Sequence, residues 1–152
     1  MQILEAPMSQ ASLEDFVNEA MRVVWQEGQT EQIDRFYTDD AEIRGVIPND
    51  VVSRSELANM LDHLLMLVSI DEVRVHSLVW DGAQKASCVT DLTITHKVSG
   101  KVGRIPASIY AEFKDNRIHR SSSVIDYLCL LEQLELLPDG ALFLGLTGQV
   151  LK

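Results

Sequence analysis

The chain has 152 residues, enough for one domain with a real core and short for two. Apolar residues make up 46% and charged residues 24%, which excludes a disordered chain or a disulfide-stapled miniprotein. Thirteen Lys and Arg stand against 23 Asp and Glu, a net charge of −10, and the basic residues are scattered singly. Such a surface repels phosphate backbones, so nucleic acid is not an expected partner.

Several site classes are missing from the pattern. There is no GxGxxG, GxxxxGK[ST] or GxSxG, and His63, His76, His96 and His119 form no HxH or HxxxH pair. No cofactor and no metal are therefore expected. Cys88 and Cys129 make no CxxC and read as reduced thiols. The first 30 residues carry five acidic side chains and no basic stretch before an apolar run, unlike a signal or transit peptide. No apolar run approaches the roughly 20 residues of a membrane span. The expectation is a cytoplasmic protein with no membrane partner.

Residues 1–8 read as a loose arm. Leu13, Phe16, Val17, Ala20, Met21 and Val24 then recur at helical spacing, with Ser12 and Asp15 suited to the helix start and Gly28 to its end. A second, short helix is expected from Thr30 to about Tyr37, with Ile33, Phe36 and Tyr37 on one side. Ala41 to Val46 reads as a strand, and Pro48-Asn49-Asp50 as a turn. Ser53 and Glu56 match a capping box ahead of Leu57, Met60, Leu61, Leu64, Leu65 and Val68, a third helix.

From Asp71 the period changes to two. Val73, Val75, Ser77 and Val79 alternate with Arg74, His76, Leu78 and Trp80. Asp81-Gly82, Ser99-Gly100 and Asp115-Asn116 mark turns between strands expected at about 84–98, 102–114 and 117–130. The apolar tail, 136–152, suits packing on the sheet's open end or on a partner chain. Three helices over a strongly curved, mainly antiparallel sheet make an α+β cone with an internal pocket, as one domain over residues 1–152.

Several segments carry a resemblance. Phe36-Tyr37-Thr38-Asp39-Asp40-Ala41, Ser53-Arg54-Ser55-Glu56-Leu57 and Ala111-Glu112-Phe113-Lys114-Asp115-Asn116-Arg117-Ile118 resemble motifs of the nuclear transport factor 2-like superfamily of cone-shaped α+β barrels. Ile125-Asp126-Tyr127 followed by Leu131-Glu132-Gln133-Leu134 is most similar to the SnoaL-like polyketide cyclases, with Glu135 where those carry Gly. The resemblance covers about residues 12–135.

Asp126 is the first candidate for chemistry. It sits among Val124, Ile125, Tyr127, Leu128 and Leu130, where an unpartnered carboxylate is costly. Burial there would raise its pKa and suit it to abstract a proton next to a carbonyl. The resemblance implies the same role, and a capping or rim Asp is the competing reading. With Asp126 inward, strand parity turns Val124, Ser122, Arg120 and Ile118 inward too, unless a bulge intervenes. On the preceding strand Phe113, Ala111, Ile109, Ala107 and Ile105 share the inner face, and Tyr110, Ser108 and Arg104 face outward.

Trp25 and Tyr37 are expected on helix faces lining the pocket. By likeness to ketosteroid isomerases Tyr37 would donate to a substrate oxygen, with core packing as the alternative. His63 borders the apolar stripe of the third helix and is a second group for positioning an oxygen. Asp39, Asp40 and Asp91 are weaker carboxylate candidates. His76 and His96 lie on neighbouring strands and read mainly as exposed or interfacial. The resemblance implies a protein that binds a small apolar ligand and pairs through the convex sheet face as a homodimer. It leaves two readings open: a cofactor-independent cyclase, isomerase or lyase working by acid/base chemistry on an apolar carbonyl compound, or a non-catalytic binding or dimerisation module.

Overall fold

A computed structural model describes residues 8–150. Of the expected N-terminal arm only Met8 falls within them. Helix α1 runs Gln10–Ala20 and starts earlier than expected, because Ser9 caps it in a reciprocal box with Ser12. The helix then loosens into a π turn, Met21–Gln26, closed by the bond from Glu27 N to Arg22 O at 2.9 Å. Gly28, at φ 67°, ends it. The expected second helix is a 3-10 segment, Thr30–Arg35. Tyr37 is not on it but opens strand β1, Tyr37–Arg44.

Strand β2 is the two-residue Val51–Val52. Helix α2, Arg54–Leu67, has the expected capping box: Ser53 accepts from Glu56 N at 3.2 Å and Glu56 accepts from Ser53 N at 2.7 Å. Strands β3 (Val68–Trp80), β4 (Lys85–His96), β5 (Val102–Lys114) and β6 (Arg117–Ile125) form an antiparallel meander. Asp115 and Asn116 both take positive φ, as a two-residue type I′ hairpin requires. Strand β1 adds to β6 in parallel, so the six-stranded sheet is mixed, in the order β2-β1-β6-β5-β4-β3.

Among the register shifts of the sheet, two turn side chains against the expected alternation. Val75 pairs with Thr90 and Ser77 with Val89, leaving His76 as an extra residue in β3. Beyond it Leu78 and Trp80 take the covered side, not the Ser77 and Val79 side that simple alternation predicts. In β6, Phe113 pairs with Ile118 and Glu112 with Arg120, so His119 is extra. The inner set therefore runs Ile118, Ser121, Ser123, Ile125. Arg120, Ser122 and Val124, expected inward, are exposed on the other face.

Strand β6 also ends earlier than expected. After Ile125 the chain turns into α3, Tyr127–Gln133. Pairing between β5 and β6 stops at Ala107–Ile125, which leaves the start of β5 without that partner. Gln133 fills the place of a strand: its amide accepts from Arg104 N at 2.7 Å and donates to Arg104 O at 2.8 Å. The close seat depends on Gly103, where a Cβ would stand 3.0 Å from Leu130 Cδ1. Glu135, just beyond α3, takes φ 56°, the left-handed conformation that favours the glycine of the resembling motif. The tail forms α4, Ala141–Leu146, which buries Ala141 and leaves Leu142, Phe143 and Leu146 exposed. No helix among the described residues is long and apolar enough to cross a membrane.

Candidate functional site

Between the covered face of the sheet and the helices lies an apolar cavity in two lobes, of about 70 and 60 Å3. Met21, Trp25, Val46, Ile109 and Ser123 border both, so they form a waist between the lobes. The π turn supplies Met21 and Trp25, and Val24 beside them faces the first lobe. Such turns occur often at functional sites.

Phe16 and Phe113, which line the first lobe, belong to a chain of edge-to-face rings. Phe16 stands 5.5 Å from Phe36 and 5.4 Å from Phe113, and Phe113 is 5.9 Å from Trp80. Tyr37, Cys88 and Ser121 also line this lobe. The second lobe is walled by Met60 and Leu64 from α2, by Ile70, Thr90, Leu92, Ile94, Ile105 and Ala107 from the strands, and by Ile125 and Tyr127. The Tyr127 hydroxyl donates to Val46 O, tying α3 to the loop after β1. That loop begins at Gly45, φ 82°, where a Cβ would lie 1.9 Å from Ser123 O; only glycine lets it pass β6 so closely.

The polar groups of the first lobe converge from β1 and β6. Tyr37 is only 9% exposed, and burial pushes its phenol up to about 12. At neutral pH it is a hydrogen-bond donor. Its hydroxyl meets no partner among the described residues, and neither do those of Ser121 and Ser123; yet no buried side-chain polar atom is sealed off and orphaned. All three residues line the first lobe. The Cys88 thiol is also held protonated, its pKa raised by burial. No carboxylate, imidazole or cationic side chain is among the residues lining either lobe.

The expected site residues divide accordingly. Trp25, Tyr37, Ile109 and Phe113 line the cavity. Asp126 does not. It is exposed and is the N-cap of α3, accepting from Cys129 N at 2.9 Å. An apolar run read as a strand is in fact a strand end, a cap and a helix, and a capping carboxylate satisfies the helix's free N–H groups. His63 also stays outside: it is exposed, and its Nδ1 donates to Asn59 O at 2.7 Å within α2. Arg120, Ser122 and Val124 are on the far face for the reason of the His119 bulge. The same bulge explains how Ser121 and Ser123 were missed, since pure alternation picks Ser122 from the three consecutive serines.

The remaining candidates form pairs away from the cavity. Asp39 accepts from Arg54 at 2.9 Å. Asp40 and Thr38 both lie 3.3 Å from His119 Nδ1. The Thr38 hydroxyl is the first cause that holds the Asp40 carboxyl below the usual range, with His119 and Lys114 adding to it. His76 Nε2 donates to Asp91 at 2.6 Å, and His96 pairs with Ser99 at 2.8 Å. Among the described residues no cluster of His, Cys, Asp and Glu forms a metal site.

No family model matches the chain, and no curated protein matches it. Solved structures do. TsrD from Streptomyces laurentii superposes with a TM-score of 0.72 at 16% identity, over 86% of this chain and 99% of that one. A SnoaL-like polyketide cyclase from Agrobacterium tumefaciens gives 0.64 at 19% identity, over 80% and 97%. An LEH-like epoxide hydrolase of M. tuberculosis gives 0.63 at 17%, over 89% and 95%. The fold is thus that of the nuclear transport factor 2-like proteins, with SnoaL-like cyclases among its neighbours.

Proposed function

We propose that this chain, which has the nuclear transport factor 2-like fold, is a binding protein for a small, uncharged, apolar molecule with one carbonyl oxygen. The observation that carries the reading is Tyr37. A buried, protonated phenol without a protein acceptor suits a ligand acceptor, because its bond would satisfy a donor already removed from water. The apolar walls favour burial of hydrocarbon, and a charged ligand would lose hydration that no side chain there replaces. Neighbours named as polyketide cyclases fit the same carbonyl chemistry.

The cavity favours holding a carbonyl over proton abstraction beside it. Acid/base turnover needs a group within hydrogen-bond reach that is able to accept a proton near neutral pH. Tyr37 and Cys88 are shifted the wrong way for that, and Asp126 and His63 are outside. Lining residues come from five strands, which supports a sheet wrapped as a cone. The exposed face suits a second copy of the chain. Val89 and Val124 flank Ser108 in one cross-strand row, Val79 and Tyr110 flank Ser87 in the next, and all four large side chains are exposed. Both cysteines are free, in keeping with a cytoplasmic setting.

The test is Tyr37→Phe titrated with a simple methyl ketone by calorimetry. Loss of one hydrogen bond to a ligand predicts about tenfold weaker binding with unchanged stoichiometry. Equal affinity of the two proteins would refute the reading.

A further inference from the structure

The lobes are small, and their size bears on the shape of the ligand. For scale, an engineered apolar cavity of about 150 Å3 holds one benzene molecule. Neither lobe reaches half of that, while the two together approach it. A ring confined to one lobe would have less than half that space. A molecule of that bulk has to occupy both lobes at once, through the waist.

The waist favours a chain over a ring. It is set on one side by Met21 and Trp25 of the π turn, on the other by Ile109 and Ser123 of adjacent strands, with Val46 beside them. An unbranched alkyl arm is the slimmest apolar group that could pass between two large side chains and the sheet. The ends of the path differ in chemistry. The first lobe holds the Tyr37 and Ser121 hydroxyls; beyond Ser123 and Trp25 at the waist, the second offers only Thr90 and Tyr127, which are already bonded to Ala107 O and Val46 O, and hydrocarbon.

We propose that the cavity takes a linear-chain carbonyl compound in one orientation, with its oxygen at Tyr37 and its alkyl chain threaded past Met21 and Trp25 into the second lobe. The proposal rests on the binding reading above and narrows it to a shape and a direction. Met21 and Trp25 are then the residues that decide chain against ring, and Ala107, on the second lobe only, marks where the chain end lies.

The experiment is calorimetric titration of the whole protein with the methyl ketones from 2-pentanone to 2-dodecanone, and with 2-acetylnaphthalene, which matches 2-dodecanone in carbon count. Each added methylene is expected to tighten binding roughly fourfold until the second lobe is filled, with one ketone per chain. The fused-ring ketone is expected to bind more weakly than its linear counterpart. Ala107→Phe should flatten the rise for the long ketones and leave 2-pentanone within about twofold of its original affinity. Met21→Trp, at the waist, should flatten it in the same way and carries the test if Ala107→Phe does not fold.

Two ketones per chain, a naphthyl ketone that binds better than 2-dodecanone, or a length dependence that both variants leave intact would each overturn the proposal. If short ketones bind and depend on Tyr37 while length has no effect, only this inference falls. If no ketone binds, the binding reading falls and takes this one with it.

Discussion

The covered and exposed faces of the sheet are made by the same strands, often by adjacent residues, and they treat charge oppositely. On the exposed side Glu42 lies 3.6 Å from Arg44 and 4.0 Å from Arg120, Tyr110 donates to Glu112 at 2.9 Å, and His76 reaches Asp91. Around the cavity, polarity is limited to hydroxyls, one thiol and the Trp25 indole, none of them charged. Surface pairs of this kind each contribute little, about 0–1 kcal/mol, so they do not explain the sorting. The cost of burying an ion does. A net charge of −10 is tolerable because its carriers stay where water reaches them, which leaves the cavity neutral and suited to a neutral ligand.

The most severe way to break the contrast uses two neighbours on β6. Ser121 is buried on the cavity and Ser122 is exposed behind it. Ser121→Asp places a carboxylate among apolar walls and is expected to lower stability by about 3–5 kcal/mol in thermal or urea unfolding. Ser122→Asp should stay within about 0.5 kcal/mol of the unmodified chain. Similar costs for both would mean the His119 bulge does not set the facing of this strand.

The next effect is a pH dependence on the covered side. Tyr37 keeps its proton up to about 12, against an ordinary 10.0, so the folded state binds that proton more tightly than the unfolded chain. Its contribution is intact below pH ~10 and is lost as pH rises from there to ~12, on the order of 3 kcal/mol in total. Burial raises Tyr127 as well, so the measurement is the difference between the chain and Tyr37→Phe in unfolding at increasing pH. The variant should lose less stability across that range. Identical curves would show that Tyr37 is not desolvated.

Much of this arrangement was legible from local chemistry. The Ser53–Glu56 box, the Asp115-Asn116 hairpin and the inner set from Ile105 to Phe113 follow from rules that need only a few consecutive residues. The facing of β3 beyond His76 and of β6 beyond His119 was not legible. A bulge adds one residue without altering composition, and it reverses every later side chain. The resemblance at Ile125–Leu134 pointed to a segment that meets the cavity through Ile125 and Tyr127, while Asp126 lies outside it. Asp126 and Gln133 complete backbone hydrogen bonds of α3 and β5, tasks that depend on where β6 stops. Tyr37 was placed on a helix because Ile33, Phe36 and Tyr37 fit a helical stripe, yet the 3-10 segment ends two residues earlier, at Arg35, and β1 takes over at Tyr37.

Asp126 provides the mildest test, and it bears directly on whether the exposed side takes part in binding. Its carboxylate accepts from Cys129 N at the start of α3, and Leu130 of that helix packs with Ile94, Ile105 and Leu134. Asp126→Ala removes a cap and should cost about 1 kcal/mol, while Asp126→Asn, which keeps an acceptor, should cost less. Because α3 is also held by Gln133 on Arg104 and by Tyr127 on Val46, the helix should stay seated and ketone affinity should be unchanged in both variants. A carboxylate that acted on the ligand would give the reverse pattern: affinity or turnover lost in Asp126→Asn, with stability nearly intact. That outcome would move the chemistry from the neutral cavity to the exposed side of α3, and the division of labour between the two faces would fail.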